Sequence, residues 1–357
     1  MSSNLVFLAG KNAYSLVKND GLKPEMVKVI AGAAGGPKWL VLDRLDRLLF
    51  SEWFNERTEP LYLVGSSIGA WRFTAMCQNN PIDAQHRFEL SYINQRYTKK
   101  PSSEEVSAES RKIIESYLDD KGIDEILNHP FLRINFLSAR CKGLTASNNK
   151  WLLGLGLSSA VVLNLINRNL LGMQFERTLF YHPQGDPPFL KTSDFPINRI
   201  ALNRANYKQA LLSSGSIPFV MDGVQQIDGV PDGTYRDGGL TDYHLDIPYH
   251  LNDNNIVLYP HFSNRIIPGW LDKSLKWRKP TADFLKNVLL VAPSESYIRS
   301  LPNQKIPDRN DFLLYKGRDE ERIKDWNTVV EKGERLADEF AVSVMSGAIK
   351  KLVKPLF

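Results

Sequence analysis

The residues best suited to chemistry in this chain lie in three short glycine-rich segments. The segment GSSIG at 65–69 matches G-x-S-x-G and places Ser67 where a strand-to-helix elbow presents a nucleophilic serine. Its two glycines suit that role because the backbone of such an elbow is strained and passes close to neighbouring elements. Ser67 is therefore the candidate nucleophile.

The segment GAAGGPK at 32–38 precedes Ser67 by about thirty residues. It lacks the glycine and the hydroxyl residue that a phosphate-binding G-x-x-x-x-G-K-[ST] loop requires. Its open backbone can instead present the N–H groups of Gly35 and Gly36 to a developing oxyanion, whereas Pro37 has no N–H to offer. Lys38 is expected either to support the loop or to contact an anionic group of the substrate.

A serine nucleophile needs a group that accepts its proton, usually a histidine and sometimes a carboxylate. Asp237 is followed by two glycines, and such a turn can aim a carboxylate out of a loop. A serine–aspartate–histidine order is also open, with Asp237 and one of three later histidines, namely His244, His250 or His261.

The elements around these segments predict how they are positioned. The β-branched run at 27–31 and the apolar run at 61–64 read as buried strands. A helical pattern begins at Pro37, and another follows Ser67. The order strand–helix–strand–helix is typical of a crossover unit in a parallel sheet. Both glycine-rich segments then lie at the C-terminal ends of strands, where open α/β sheets bind ligands.

Length and composition are those of an ordinary globular protein. The chain has 357 residues, of which 43% are apolar and 24% charged, with a net charge of +5. We expect a single α/β domain over 1–357, with a motif-bearing core at about 27–250 and a mostly helical extension at about 280–357. The modest charge gives no reason to expect nucleic acid as a partner, and no metal or cofactor is expected. Two cysteines and the absence of a recognisable secretory leader predict a reducing, cytoplasmic location.

Between residues 126 and 175 the chain has no acidic residue, although it carries five basic ones. This window also contains the most apolar run of the chain, WLLGLGLSSAVVLNLI at 151–166. Basic side chains beside an apolar helix that begins with tryptophan can bind an anionic lipid surface. A buried helix with basic neighbours is the alternative. We therefore expect peripheral membrane contact through 133–173 or a core helix. The basic residues of the window are Arg133, Arg140, Lys142, Lys150 and Arg168.

Taken together, the motifs GGPK at 35–38, GSSIG at 65–69 and DGG at 237–239 resemble those of the patatin-like phospholipases. The segment SGSIPF at 214–219 is similar to the small-residue loop that this family carries shortly before its aspartate. The resemblance covers roughly residues 27–245. One departure is Ala34, which stands where family members commonly have a third glycine. An alanine at a position that requires a positive φ would be strained.

The resemblance implies a three-layer α/β/α fold and a hydrolase that cleaves acyl esters of lipids or phospholipids without a cofactor. On this view Ser67 is the nucleophile, Asp237 the base, and the Gly35 and Gly36 N–H groups form the oxyanion hole. Transfer of the acyl group to an acceptor other than water would use the same residues. Two alternatives stay open, a Ser–His–Asp esterase and a catalytically silent lipid-binding scaffold, toward which Ala34 is the sequence hint.

Overall fold

A ten-stranded, mainly parallel sheet forms the centre of the computed structural model, which describes residues 3–189 and 195–357. Helices pack around this sheet, which confirms the expected α/β fold of three α/β/α layers. The strands are β1 (Leu5–Ala9), β2 (Val27–Gly32), β3 (Leu61–Ser66), β4 (Leu132–Cys141), β5 (Phe175–Tyr181), β6 (Ile197–Ala201), β7 (Thr234–Asp237), β8 (Ile256–Pro260), β9 (Val288–Pro293) and β10 (Val353–Pro355).

Most of the helices lie on the two sides of the sheet and cover its apolar faces. They are α1 (Lys11–Asp20), α2 (Asp43–Leu48), α3 (Ile68–Met76), α4 (Pro81–Ile93), α5 (Ser103–Tyr117), α6 (Asp120–Leu127), α7 (Lys150–Ile166), α8 (Tyr207–Ser214), α9 (Gly239–Asp242), α10 (Glu295–Arg299), α11 (Asp311–Leu314), α12 (Asp319–Lys332), α13 (Glu334–Met345) and α14 (Ile349–Leu352). Within the described ranges, every helix is too short or too polar to cross a bilayer.

The crossover unit expected at 27–78 is present. Strands β2 and β3 are parallel neighbours, and the segment between them is helical from Gly36 to Trp53. This helical segment opens as a 3₁₀ turn, passes into α2 and closes as a π turn. Helix α3 begins directly after Ser67. Both glycine-rich segments thus follow the C-terminal ends of adjacent strands.

The last hundred residues contribute more strand than expected. Strand β9 lies within the sheet between β1 and β8, and β10 pairs with β1 at its edge. The extension expected to be mostly helical at about 280–357 contains helices α10–α14 together with these two short strands. The run VLLVAP at 288–293 is apolar without periodicity, and in so short a run helix and strand cannot be distinguished by pattern.

The pairing register of β4 places the end of β3, which precedes Ser67, beside the end of β7, which carries Asp237. Strand β3 pairs with the first part of β4, and β5 occupies the opposite edge. Strand β7 pairs antiparallel with the last part of β4, beyond the end of β3. Within β4, Leu137 pairs with Ser66 and Ser138 pairs with Asp237. The chain of β7 therefore runs toward the end of β3 and stops beside it.

The glycines at the elbow are required by close packing. A Cβ atom on Gly69 would lie 2.0 Å from the carbonyl oxygen of Gly32, and one on Gly65 would lie 2.4 Å from the backbone nitrogen of Ala70. Neither backbone contact can be relieved by rotating a side chain. The first turn of α3 can therefore lie against β2 and β3 only if both positions lack a side chain.

We predict that Gly69→Ala lowers the free energy of unfolding by about 2–3 kcal/mol, because an overpacked core must shift its backbone. Thermal or urea unfolding measures the change. Gly154→Ala is the matched control, because its Cβ would meet only the Phe219 ring at 3.9 Å and alanine favours a helix interior. An unchanged unfolding midpoint for Gly69→Ala would contradict the packing at the elbow.

Candidate active site

Ser67 has the strained backbone of a nucleophile elbow. Its φ and ψ are 55° and −125°, outside the region that residues other than glycine normally adopt. The Ser67 N–H donates to Ser214 Oγ at 3.0 Å, and Ser214 Oγ donates to the Leu137 carbonyl oxygen at 2.7 Å. These bonds hold the strained turn in place and present the Ser67 hydroxyl at the start of α3.

The Ser67 hydroxyl contacts a carboxylate directly. Ser67 Oγ donates to Asp237 Oδ2 at 2.7 Å, and both residues are buried. The second oxygen, Asp237 Oδ1, accepts a hydrogen bond of 2.7 Å from the Gly239 N–H. The carboxylate is thus fixed through one oxygen and faces the hydroxyl with the other. This is the geometry that transfer of the serine proton to a carboxylate requires.

The segment 213–216 ties the aspartate to the serine. The Asp237 N–H donates to the Ser216 carbonyl oxygen at 2.9 Å, and the Gly238 N–H donates to the Ser214 carbonyl oxygen at 3.2 Å. Since Ser214 also holds the Ser67 N–H, one short segment fixes both partners. Sequence reasoning noted this segment but gave it no role. The clue was its run of small polar residues, which the fold buries completely.

Burial raises the pKa of Asp237 above its ordinary value. Hydrogen bonds from Ser67 and Gly239 oppose this rise, as do the positive charges of Arg309 and Lys273. A carboxylate with a raised pKa is a better proton acceptor when it is ionised. The site therefore strengthens a base that would be weak in water.

The glycine loop faces the same cavity as the Ser67–Asp237 pair. Gly35 and Gly36 line this cavity together with Ser67 and Asp237. They stand at the start of a 3₁₀ helix, where the first N–H groups have no partner within the helix. A Cβ on Gly35 would lie 2.5 Å from the Phe262 ring, so a side chain is excluded there. The predicted oxyanion donors are thus beside the nucleophile.

The expectation of strain at Ala34 is wrong. The positive φ of the loop falls on Gly36, at 55°, and the residues of positive φ in the described chain do not include Ala34. The Ala34 N–H donates to the Tyr243 carbonyl oxygen at 2.9 Å, which holds the loop against the segment that follows Asp237. The loop therefore accepts alanine at this position without distortion.

The three candidate histidines are not among the residues that line the two spaces beside Ser67. His244 Nδ1 accepts from the Ile267 N–H at 3.1 Å, and His261 Nδ1 accepts from the Ser263 N–H at 2.8 Å. Burial lowers the pKa of both rings, to about 3 for His261. His250 is exposed, and the walls of the two cavities beside Ser67 include none of the three histidines. The geometry favours the dyad over a triad.

Two connected spaces open onto Ser67. The first, called here the polar cavity, has a volume of about 270 Å³ and is lined by the dyad, the glycine loop and three basic residues, Lys38, Lys273 and Arg309. The second, called here the apolar groove, has a volume of about 660 Å³. Its walls include Trp71, Tyr92, Val106, Ile113, Met221 and Phe312. Ser67 and Gly36 line both spaces, so the nucleophile lies at their junction.

The basic residues of the polar cavity show what sequence reasoning missed. Lys38 was expected to contact substrate, and it lines the cavity as a half-buried side chain. Lys273 and Arg309 come from the part of the chain beyond residue 250, which carries no recognisable motif. Their sequence surroundings gave no signal for this role, because only the folded sheet brings them to the site.

Comparison with models of known protein families gives no match for this chain, and comparison with curated proteins gives none either.

We predict that Asp237→Asn abolishes most ester turnover, by about a hundredfold or more, because the serine loses its base. The variant should unfold at the same temperature as the native protein or higher. Burial raises the pKa of Asp237 in the folded state, so the ionised carboxylate destabilises the fold at pH values above that pKa. The stability gain of Asp237→Asn should therefore grow from acidic to neutral pH in thermal unfolding scans.

Asp246→Asn provides the control for that variant. Burial raises the pKa of Asp246 to about 6, and its carboxylate accepts the Thr281 N–H outside both spaces beside Ser67. This variant should keep turnover. Normal turnover by Asp237→Asn would contradict the assignment of the base.

Proposed function

We propose that this protein is a serine hydrolase that cleaves acyl ester bonds of lipids, as the patatin-like motifs imply. The observation that carries the proposal is the 2.7 Å hydrogen bond from Ser67 Oγ to Asp237 Oδ2 at the junction of the two spaces. A serine bonded directly to a buried carboxylate, with Gly35 and Gly36 lining the same cavity, supports acyl transfer without histidine or metal.

The geometry supports a two-step mechanism. Ser67 Oγ attacks the ester carbonyl carbon while its proton passes to Asp237 Oδ2, and the Gly35 and Gly36 N–H groups stabilise the oxyanion. The carbon–oxygen bond to the alcohol then breaks, and Asp237 returns the proton to the departing oxygen. In the second step a water attacks the acyl-enzyme and gives its proton to Asp237. Collapse of this intermediate releases the fatty acid while Asp237 returns the proton to Ser67 Oγ, which restores the hydroxyl.

The apolar groove supports a lipid as the substrate. Its walls are mainly aliphatic and aromatic, and it begins at the nucleophile. An acyl chain lying in the groove would place its carboxyl carbon beside Ser67. Burying each methylene of such a chain contributes about 0.8 kcal/mol of binding free energy. The groove therefore favours long-chain esters over short ones.

Helix α7 supports contact with a lipid surface. Its outward face is mainly apolar, with Trp151 86% and Leu155 62% exposed, and Ser158 and Ser159 interrupt it near the middle. This face continues toward the groove, because the Phe219 ring lies beside Gly154 of α7 and also lines the groove mouth. We infer that α7 rests on a lipid bilayer and leads the acyl chain from the bilayer into the groove.

The basic residues expected to assist this contact divide into two groups. Arg133 donates to backbone carbonyls within the fold, Arg140 pairs with Glu176 at 2.8 Å, and Arg168 lies 3.7 Å from Asp272. Lys150 is exposed at the start of α7, and Lys142 is half-buried. Apolar side chains, rather than the five charges together, should therefore supply most of the membrane affinity. Both free cysteines are buried, which is compatible with the proposed cytoplasmic location.

We predict that a fluorophosphonate ester probe labels Ser67 stoichiometrically, which intact-mass and peptide analysis would measure. Ser67→Ala should abolish labelling and ester turnover. Ser66→Ala is the matched control, because the neighbouring Ser66 hydroxyl is buried and has no hydrogen-bond partner in the described structure. An unchanged mass after long exposure would favour the silent scaffold. Loss of turnover in His244→Ala with turnover kept in Asp237→Ala would favour the triad.

We predict that the protein co-sediments with phospholipid vesicles and that Trp151→Gln combined with Leu155→Gln weakens this binding about tenfold or more, since each large apolar side chain contributes about 1.5–3 kcal/mol when fully buried. Met345→Gln on α13 is the control, because Met345 is as exposed as Trp151 but lies on another helix. An equal loss of vesicle binding in Met345→Gln, or no binding by the native protein, would contradict the proposed membrane contact of α7.

A further inference from the structure

The three basic residues of the polar cavity come from three separate elements. Lys38 follows the glycine loop, Lys273 follows a short 3₁₀ turn at 270–272, and Arg309 lies in the loop before α11. All three are half-buried. Burial lowers the pKa of both Lys38 and Lys273, and the nearby positive charge of Arg309 lowers the pKa of each further. The fold therefore concentrates positive charge beside the nucleophile at a cost in stability.

Among the described residues these cations form no salt bridge, although the charge of Asp308 acts on Lys38 and that of Asp237 acts on Lys273. The two carboxylates of the cavity are already engaged. Asp237 is held by Ser67 and Gly239, and Asp308 accepts from the Lys305 ammonium group at 3.1 Å and from the Asn310 N–H at 2.9 Å. The cavity therefore contains three cations and two carboxylates that are hydrogen-bonded to other groups. A bound anion would neutralise the remaining positive charge.

The aromatic rings of the cavity do not form a cage for a quaternary amine. The Lys273 ammonium group lies 4.0 Å from the centre of the Tyr243 ring and 5.7 Å from that of Trp270. The Lys38 ammonium group lies 4.9 Å from the centre of the Phe262 ring. These faces are therefore occupied by the protein's own cations, and a choline group would meet like charge instead of an open ring.

We propose that the polar cavity binds a phosphate group carried on the alcohol half of the substrate, so that the enzyme selects acyl esters of net negative head groups over zwitterionic ones. This inference rests on the proposed function, since it assigns the acyl chain to the apolar groove and the head group to the polar cavity. Ser67 lies where the two meet, which places the ester bond between chain and head group at the nucleophile. Lys38, Lys273 and Arg309 are then specificity-determining residues.

Burial and the neighbouring cations lower the pKa of Lys273 to about 7, and the charge of Asp237 partly opposes this shift. The groups that face Lys273 are Arg309, Lys38, Asp237 and the Tyr243 ring. Lys273 carries its proton below about pH 7 and loses it above, whereas the Arg309 guanidinium stays charged. Affinity for a phosphodiester, whose own charge is constant in this range, should therefore fall as the pH rises through about 7, and Lys273→Arg should remove most of that fall.

Binding of single-chain probes tests the inference without any ester cleavage. Dodecyl phosphate, dodecylphosphocholine and inorganic phosphate would be titrated into the native protein by calorimetry, below their micellar concentrations. We expect dodecyl phosphate to bind at least tenfold more tightly than dodecylphosphocholine. Arg309→Met and Lys273→Met should each reduce this preference several-fold. Lys276→Met is the matched control, because Lys276 is exposed and lies outside both spaces, and it should keep the preference.

Three outcomes would overturn the inference. Equal affinity for the two dodecyl probes would contradict the selection for net negative charge. A preference that is unchanged in both Arg309→Met and Lys273→Met would show that other residues bind the phosphate. Inorganic phosphate binding as tightly as dodecyl phosphate would assign the cavity to a free anion and not to a lipid head group. Fluorophosphonate labelling of Ser67 in the same preparations separates this test from that of the proposed function. Labelling without a preference defeats the inference alone.

Discussion

The hydrogen bond between Ser67 and Asp237 is the contact on which the rest of the site depends. It joins a strained elbow to a carboxylate whose pKa is raised by burial. Each partner is held in turn by backbone N–H groups or by the serines at 213–216, so neither side chain can turn away at little cost. A dyad without histidine needs this rigidity, since the carboxylate must accept the hydroxyl proton directly and no imidazole ring carries the proton between them.

The sheet creates this contact by its register. Strand β7 has only four residues, yet it extends the edge of β4 at the point where β3 ends. Two chain segments 170 residues apart in sequence thereby meet end to end. The glycines around Asp237 and Ser67 allow backbones to approach more closely than any side chain would permit. The geometry of the candidate site thus depends on where the strands end and on the absence of side chains at these glycines.

Sequence reasoning located the dyad, the glycine loop and the α/β fold because each of them leaves a local trace. Ser67 and Gly35 stand in short patterns that follow recognisable strands, and such patterns predict position at the edge of a parallel sheet. Lys273 and Arg309 leave no comparable trace, because their role arises only when distant loops fold over the sheet. The strain expected at Ala34 was misplaced by two residues, since a glycine-rich pattern does not reveal which of its members adopts a positive φ.

The two spaces beside Ser67 draw their walls from different parts of the chain. The elbow and the glycine loop come from the first seventy residues, while Lys273, Arg309 and Phe312 come from the last ninety. In the proposed enzyme, two of the three proposed head-group contacts, Lys273 and Arg309, are therefore encoded apart from Ser67 and the glycine loop. Substitutions at these two positions can change which head groups bind while Ser67 and the glycine loop keep their places, but they also change the charge that acts on Asp237, so substrate preference and the strength of the base are linked.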